Sequence, residues 1–313
     1  MKDISIVIPC YNEELIIADF HERLTSVLKI DTNFNYKIIY INDGSSDKTE
    51  EILKKFYDKD KRVNIISFTR NFGHQNALFA GLEHSLSDAT ITIDADLQDP
   101  PELIPELLKI WKNGIDIVYA VRTERKGESL FKKITAKIFY NLINKLSDFN
   151  IPLNTGDFRL MDKKVVSLLT SFPEKNKYFR GLSVWTGFSQ APCYFIREKR
   201  SKGETKYPLN KMIKFATDAI ISFSDKPLRI ISKIGFITFI LSFIGIIYSL
   251  FRKFSGYAVE GYTLMFVSIM FLGGIQLLSL GLLGEYISRI FSEIKKRPDY
   301  IIKQKFGFDE KTN

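Results

Sequence analysis

Short β-branched runs alternate with amphipathic stretches over roughly the first 200 residues of the chain. ISIVIP (4–9), YKIIYIND (36–43), VNIISFTR (63–70), ATITIDAD (89–96) and DIVYAVR (116–122) each read as a buried strand. ELIIADFHERLTSVL (14–28) and PELIPELLKIW (101–111) instead repeat apolar residues at helical spacing. Strand and helix in regular alternation predict an α/β domain, a mostly parallel sheet covered by helices on both faces. Ligands of such open sheets bind outside the carboxyl ends of the strands. Carboxylates collect at those ends: Asp43 closes one run, and Asp94 and Asp96 close another.

Beyond residue 200 the pattern changes. Ile234–Phe251 is an 18-residue stretch without charge, roughly 27 Å long as a helix. Tyr262–Gly284 is a second uncharged stretch of roughly 34 Å. Each is long enough to cross a hydrocarbon core of about 30 Å, so a two-helix transmembrane hairpin is expected. Gly273, Gly274, Ser279, Gly281 and Gly284 suit close helix packing in lipid. Lys226, Arg229 and Lys233 precede the first stretch, and Arg289, Lys295, Lys296 and Arg297 follow the second, whereas the connecting loop has Arg252 and Lys253. This bias places both ends of the hairpin in the cytosol. YPLNKMIKFATDAIISF (207–223) mixes Lys211 and Lys214 with a periodic apolar face, the pattern of a helix lying in the membrane interface. Trp185 and Tyr207 read as interface anchors. The division expected is a cytosolic α/β domain at 1–200, an interfacial segment at 201–230, the hairpin at 231–286 and a cytosolic tail at 287–313.

Composition narrows the chemistry. A net charge of +9 in 313 residues points to an anionic partner. The excess clusters beside the apolar stretches, with no motif that reads nucleic acid, so no nucleic-acid partner is expected. Cys10 and Cys193 match no metal or redox spacing and read as free buried thiols. MKD runs straight into a strand pattern, with no signal peptide. His21, His74 and His84 are dispersed, which gives a zinc site no support.

TIDADLQDPP (92–101) holds three carboxylates. Asp94 and Asp96 on a short turn offer hard oxygen ligands, and Gln98 adds a neutral carbonyl oxygen; this set suits Mg²⁺ or Mn²⁺. Asp99, before two prolines, is expected to cap the next helix.

SIVIPCYNEE, INDGSSDKT, FTRNFGHQNAL and TIDADLQDPPEL, in this order, resemble the family 2 glycosyltransferases of GT-A fold. TGDFRLMD, RGLSVWTGF and REKRSKGETKYPLNKM followed by a two-span hairpin resemble the polyprenyl-phosphate branch, and within it the bactoprenol glucosyltransferases. The resemblance covers essentially the whole chain and is related to that of dolichol-phosphate mannose synthase. It implies that Pro9, Tyr11, Asn12 and Glu13 frame the base and ribose of a nucleotide-sugar, and that Asp43 hydrogen-bonds the uracil or ribose. Without the family, Tyr11 and Asn12 read equally as turn chemistry after a strand. Asp94 would contact ribose or sugar, and Asp96 with Gln98, and with Asp94 beside them, would hold the metal on the diphosphate. Asp157 falls at the position the family gives to a catalytic base. A phosphate monoester, with a second pKa near 6, is however already mostly a dianion at neutral pH. Asp157 therefore stands open between base, orienting group and a structural partner of Arg159.

Arg122, Arg125, Arg200 and Lys206 are the candidate ligands of a lipid phosphate, with Arg197 and Lys202 beside them; arginine offers a bidentate fork that lysine lacks. The implied reaction is inverting, metal-dependent transfer of one sugar, glucose from a UDP donor, to undecaprenyl phosphate at the cytosolic membrane face. N-acetylglucosamine, galactose, an aminoarabinose-type sugar, or mannose from a GDP donor are alternatives. The resemblance also implies a multi-pass inner- or plasma-membrane protein, in contact with the bilayer and assembled as a homo-oligomer, a tetramer. A processive polysaccharide synthase is disfavoured, because neither Trp111 nor Trp185 follows an arginine as that motif requires. A non-catalytic lipid carrier or scaffold is disfavoured by the presence of Asp94, Asp96, Gln98 and Asp157 together.

Overall fold

The computed structural model describes residues 1–123, 155–175, 177–195, 226–255 and 261–308. The predicted interfacial helix at 207–223, together with Arg125, Arg197, Arg200, Lys202, Lys206 and Tyr207, lies outside the described residues. The chain forms two compact units, one of residues 1–144, 149–212 and 297–313, the other of residues 145–148 and 213–296.

The first unit is built on an eight-stranded sheet. Its strands are β1 (Lys2–Cys10), β2 (Phe34–Asn42), β3 (Val63–Phe68), β4 (Ala89–Thr92), β5 (Ile117–Arg122), β6 (Thr155–Asp162), β7 (Gln190–Phe195) and β8 (Ile302–Phe306), in the spatial order β7-β5-β6-β4-β1-β2-β3-β8. The centre, β3-β2-β1-β4, is parallel as the alternation predicts. β6 enters antiparallel between β4 and β5, and β8 adds antiparallel to β3.

Period-two alternation distributes β1 between two cores. Ile4, Ile6 and Ile8 point toward α1 (Ile17–Ile30), α2 (Thr49–Lys59) and α4 (Ile104–Lys112), whose Phe20, Leu24, Leu53, Leu107 and Trp111 complete one apolar layer. Val7, with Ile39, Ile41 and Ile66 of the neighbouring strands, faces α3 (His74–Glu83). Each such fully buried aliphatic side chain contributes about 1.5–3 kcal/mol. α3 sits low on the sheet because Gly81 has no side chain: a Cβ there would overlap Val7 Cγ1 and lie 2.8 Å from Ile41 Cδ1. Two further helices, α5 (Lys163–Ser171) and α6 (Phe179–Trp185), follow β6. Trp185 at the end of α6 is 59% exposed and meets Phe172 edge-on. Cys10 and Cys193 are free and buried, as read from their spacing.

β8 lies inside the segment read as a tail. Its Phe306 packs against the apolar layer of α1, α2 and α4, touching Tyr57, while Ile302 packs against the layer of α3 and Tyr300 stacks on Phe68 at 4.8 Å. Lys303 and Gln304 both reach Glu50 of α2.

The second unit contains two long helices packed on one another, α7 (Lys226–Phe254) and α8 (Tyr262–Ile294). Phe236, Leu241, Phe243, Ile247, Leu277, Leu280 and Ile287 on them are more than half exposed, an apolar surface far beyond what water tolerates. Phe271–Ile294 is long and apolar enough to cross a membrane, and Ile231–Gly245 is a shorter apolar stretch. The helices thus overlap the predicted spans without sharing their ends.

Two consequences are measurable in the detergent-solubilised protein. Gly81→Ala forces the overlap with Val7 and is expected to cost about 1–3 kcal/mol, seen as a lower thermal unfolding midpoint. His21 bonds to the Tyr40 hydroxyl at 2.9 Å and stacks on Phe56 at 3.9 Å; burial pushes its pKa down to about 4 against a weaker pull upward from Asp60. A depressed folded pKa means the unfolded chain, with His near 6.5, takes up the proton first. The stability is therefore full above about pH 6.5 and lost as pH falls toward 4, by roughly 1–2 kcal/mol between pH 7 and 5. His21→Gln should flatten that part of the unfolding-midpoint profile between pH 7 and 5.

Candidate active site

The loops at the carboxyl ends of β1 and β2 are laced together. Asn12 takes a left-handed φ of 54°, its N–H donates to Ser45 Oγ at 3.0 Å, and its side-chain oxygen accepts from the Ser46 N–H at 2.9 Å. The Glu13 N–H donates to Thr49 Oγ1 at 2.9 Å, and Glu14 exchanges bonds with Asp47 and the Lys48 N–H. Pro9 is buried in β1, whereas the next residue but one, Tyr11, is 41% exposed. Asn12 thus does perform turn chemistry, and what it builds is a rigid rim.

Asp43, the residue expected to hydrogen-bond the uracil or ribose, is 1% exposed. Its two oxygens accept the N–H groups of Phe72 (2.7 Å) and Gly73 (3.0 Å), so it moors the loop between β3 and α3. Burial pushes its pKa up against those two bonds. Next to it Gly44, at φ 64°, packs on the Arg70–Asn71 backbone, where a Cβ would lie 2.6 Å from Arg70 Cα. Three loops, those after β1, β2 and β3, are therefore tied into one floor.

The charged centre lies farther along the same edge. β6 pairs with β4 so that Thr92 faces Arg159, and the Thr92 hydroxyl donates to the Asp157 carbonyl. Asp157 accepts from Arg180 Nε at 2.7 Å through one oxygen, and through the other it meets His74 Nε2 at 3.2 Å and Gln75 Nε2 at 3.4 Å. His74 Nε2 is also 3.6 Å from an oxygen of Asp94. Burial alone would raise the Asp157 pKa, but the Arg180 charge and the His74 bond outweigh it and hold the carboxyl well below its usual range. Burial pulls His74 down, yet Asp94 and Asp157 carry it up to about 9, so the ring is an imidazolium at neutral pH. Asp94 is raised to about 6, first by burial and then, against the pull of His74, by Asp157, Asp99 and Asp96.

The alternative of an Asp157–Arg159 pair gives way here. Arg159 is 2% exposed and donates to the Ser183 hydroxyl and the Gly156 carbonyl, with its guanidinium 4.8 Å over the Phe179 ring. Asp99 also departs from expectation: Pro100 occupies the cap position without a side-chain bond, and Asp99 instead takes Arg122 Nη2 at 3.1 and 3.3 Å. Gly156 makes room for that pair, since a Cβ there would sit 2.9 Å from Arg122 Nη2. Arg122 Nε is buried with no hydrogen-bond partner.

Asp96 closes its own turn by accepting the Gln98 N–H at 3.1 Å across Leu97 at φ 59°. Among the described residues no three His, Cys, Asp or Glu side chains cluster as a metal site. The donors on offer are the Asp94 and Asp96 carboxylates and the buried Gln98 amide. An all-oxygen set of this size fits Mg²⁺ or Mn²⁺ that completes its shell with water and phosphate oxygens. Burial first, and then the neighbouring acids, disfavour the charged form of Asp94, and a divalent ion at its oxygens would favour that form.

His74, Gln75 and Arg180 were not among the residues picked from sequence. All three lie in the segments FTRNFGHQNAL and RGLSVWTGF, so a signal was present, but nothing in their spacing ties them to Asp157.

Residues 5–169 match the family model for glycosyl transferase family 2, and residues 226–290 match that for the GtrB C-terminal hairpin. Uncharacterized glycosyltransferase YkcC of Bacillus subtilis (strain 168) is 47% identical over 308 residues, covering 98% of this chain and 95% of YkcC. The prophage bactoprenol glucosyl transferase homolog of Escherichia coli (strain K12) is 44% identical over 302 residues, 96% of this chain and 98% of its own. The bactoprenol glucosyl transferase of Shigella phage SfII is 42% identical over 302 residues, 96% and 97% of the two chains. Among solved structures, glucosyl-3-phosphoglycerate synthase from Mycobacterium tuberculosis, in complex with Mn²⁺, UDP and phosphoglyceric acid, superposes with a TM-score of 0.50 at 20% identity. That match covers 70% of this chain and 76% of the synthase, and it shows the shared GT-A fold. A family model over more than half of the chain, and relatives this similar along its whole length, mean that the protein belongs to glycosyltransferase family 2.

Proposed function

We propose that this glycosyltransferase moves a single glucose from UDP-glucose to a polyprenyl phosphate, undecaprenyl phosphate, at the cytosolic face of the membrane, with inversion at the sugar. The observation that carries the acceptor class is the state of Asp157. Both of its oxygens already accept bonds from charged donors, Arg180 and His74. A general base for a sugar hydroxyl needs a free oxygen and a pKa near the working pH, and Asp157 has neither. An acceptor that brings its own nucleophile needs no such base. A phosphate monoester is one, because its second pKa near 6 leaves it mostly dianionic at neutral pH. The exposed apolar helices and the names of the bactoprenol relatives supply the lipid half of the acceptor.

In this reading Tyr11 and the rim around Asn12 and Glu13 receive the nucleoside, with Asp43 fixing the floor loop from below. Asp157, Arg180 and His74 hold the donor sugar between fixed charges. A phosphate oxygen attacks C1 while the bond from C1 to the diphosphate breaks and UDP leaves with the electron pair. No covalent bond to the protein forms. Asp94, Asp96 and Gln98 would hold Mg²⁺ or Mn²⁺, which would supply Lewis-acid neutralisation of the leaving diphosphate. Arg125, Arg200 and Lys206 are assigned to the lipid phosphate, with Arg122 contributing through donors that Asp99 leaves unused. Two crossings at about 234–251 and 262–284, with both ends cytosolic, complete the arrangement.

The test is UDP release by the purified, lipid-reconstituted protein given a panel of UDP- and GDP-sugars. Release should require undecaprenyl phosphate, a divalent ion and UDP-glucose, and Asp96→Ala should abolish it. Asp157→Asn should lower kcat about 10²–10³-fold, in the range lost with a preorganised charge. The rate should fall below about pH 6 as the acceptor phosphate takes up its second proton. Transfer to the free alcohol polyprenol at a comparable rate would refute the phosphate-acceptor argument, and release independent of any lipid would refute the lipid acceptor altogether.

A further inference from the structure

One face of α3 carries a stripe of three side chains at successive i, i+4 positions: Gln75, Phe79 and Glu83. All three meet the same short segment, residues 177–180. Gln75 Oε1 accepts the Phe179 N–H at 3.0 Å, Phe79 meets the Phe179 ring edge-on at 6.0 Å, and Glu83 lies 3.6 Å from Lys177 Nζ. The same ammonium sits 5.0 Å over the Phe79 ring and 3.4 Å from Asp299, a residue that follows α8 in sequence. Lys177 is 9% exposed, a buried cation between two acids. Three residues on, Arg180 makes the 2.7 Å bond to Asp157.

The arrangement is a ruler. The N-terminal end of α3 presents His74 and Gln75 to Asp157, and its C-terminal end holds Lys177. The seven-residue helix α6 that carries Arg180 is too short to hold its own position, so its register against α3 rests on these contacts. Asp299 closes the clamp from the other side, and it is held in turn by Lys175 at 3.0 Å, while its neighbour Tyr300 donates to Glu83.

We propose that Lys177 is a positioning residue for sugar transfer: clamped between Glu83 and Asp299, it sets where Arg180 meets Asp157. The proposal rests on the role given to Asp157 above, and it acts on the orientation of the site without touching substrate. Removing the ammonium unties the start of the 177–180 segment from Glu83 and from Asp299, which keeps its pair with Lys175. The segment bearing Arg180 can then shift along α3.

The experiment compares Lys177→Met, Lys177→Arg and Asp299→Asn in the full-length, lipid-reconstituted enzyme, each alone and on an Arg180→Lys background. Lys177→Met is expected to lower kcat about tenfold with KM for the donor changed less than about twofold, because an ångström of misplacement is costly in rate and not in binding. Lys177→Arg should restore most of that loss. On the Arg180→Lys background Lys177→Met should cost less than about twofold more, since both changes act through one bond. A full tenfold cost on that background, or wild-type kcat for Lys177→Met, overturns the proposal. A second readout is independent of turnover: the chain has three histidines, so the imidazole ¹⁵N resonances can be assigned by single His→Gln variants. Lys177→Met should shift His74 and leave His21 in place. An unmoved His74 overturns the proposal even if the enzyme proves to transfer some other group. Were the wild type to transfer no sugar at all, the function would fail while this resonance still decided the clamp. Should Lys177→Met not fold, Asp299→Asn carries both readouts.

Discussion

A buried carboxylate stays ionised where charged donors meet it, and one edge of this sheet is organised around such a carboxylate. Asp157 lies in a strand interior, 4% exposed, and is met by Arg180 from one side and by His74 from the other. Each partner comes from a different part of the chain: β6 supplies the acid, α3 the imidazolium and α6 the guanidinium. Desolvation would favour the neutral carboxyl by several kcal/mol, so the ion survives by the mutual arrangement of three elements. Removing either cation leaves Asp157 with only part of the charge that keeps it ionised, so the contacts that hold α3 and α6 in place also set its state.

The sheet topology makes that meeting possible. Four parallel strands put the loops after β1, β2 and β3 on one edge, where Asn12, Asp43 and Gly44 tie them into a floor. An antiparallel strand inserted beside β4 then brings Asp157 next to the end of the strand that leads to Asp94. A fifth parallel strand there would run its own carboxyl end to the same edge, and the acid in its interior would sit lower in the sheet. Gly156 next to Asp157 leaves the space in which Asp99 and Arg122 pair, so one strand of eight residues arranges two buried ion pairs.

The parts of this that were legible in sequence are those with local signals. Strands β1 to β5 announce themselves as β-branched runs, and Asp94 and Asp96 are conspicuous because charge rarely ends an apolar run without purpose. β6 escaped as a strand because Asp157, Arg159 and Asp162 break its apolar pattern, although seven of its eight residues are buried. β8 escaped because IKQKF alternates at an edge, with Lys303 and Lys305 outward, and short charged edge strands look like tails. His74 and Arg180 could not be tied to Asp157 at all: 83 and 23 residues separate them from it, and pairing across such distances is set by topology. Asp99 was misassigned for a related reason, since its true partner Arg122 is brought close by the pairing of β5 with β6 and by the side chain that Gly156 lacks.

The position of β8 also changes what the apolar helices are. They do not trail from a finished domain; in sequence they fall between β7 and β8 of one sheet. The catalytic unit is therefore assembled from chain on both sides of the hairpin, and Asp299, Tyr300 and the strand that follows reach it only after α8 has been made. Tyr300 on Phe68, Gln304 and Lys303 on Glu50, and Phe306 on Tyr57 cover an edge that β3 would otherwise expose. Cutting the chain before the hairpin to obtain a water-soluble catalytic domain would remove that cover together with the acid opposite Lys177. The apolar hairpin and the strand that completes the sheet thus lie in one continuous C-terminal stretch, and the hairpin cannot be cut away from that end without losing β8 as well.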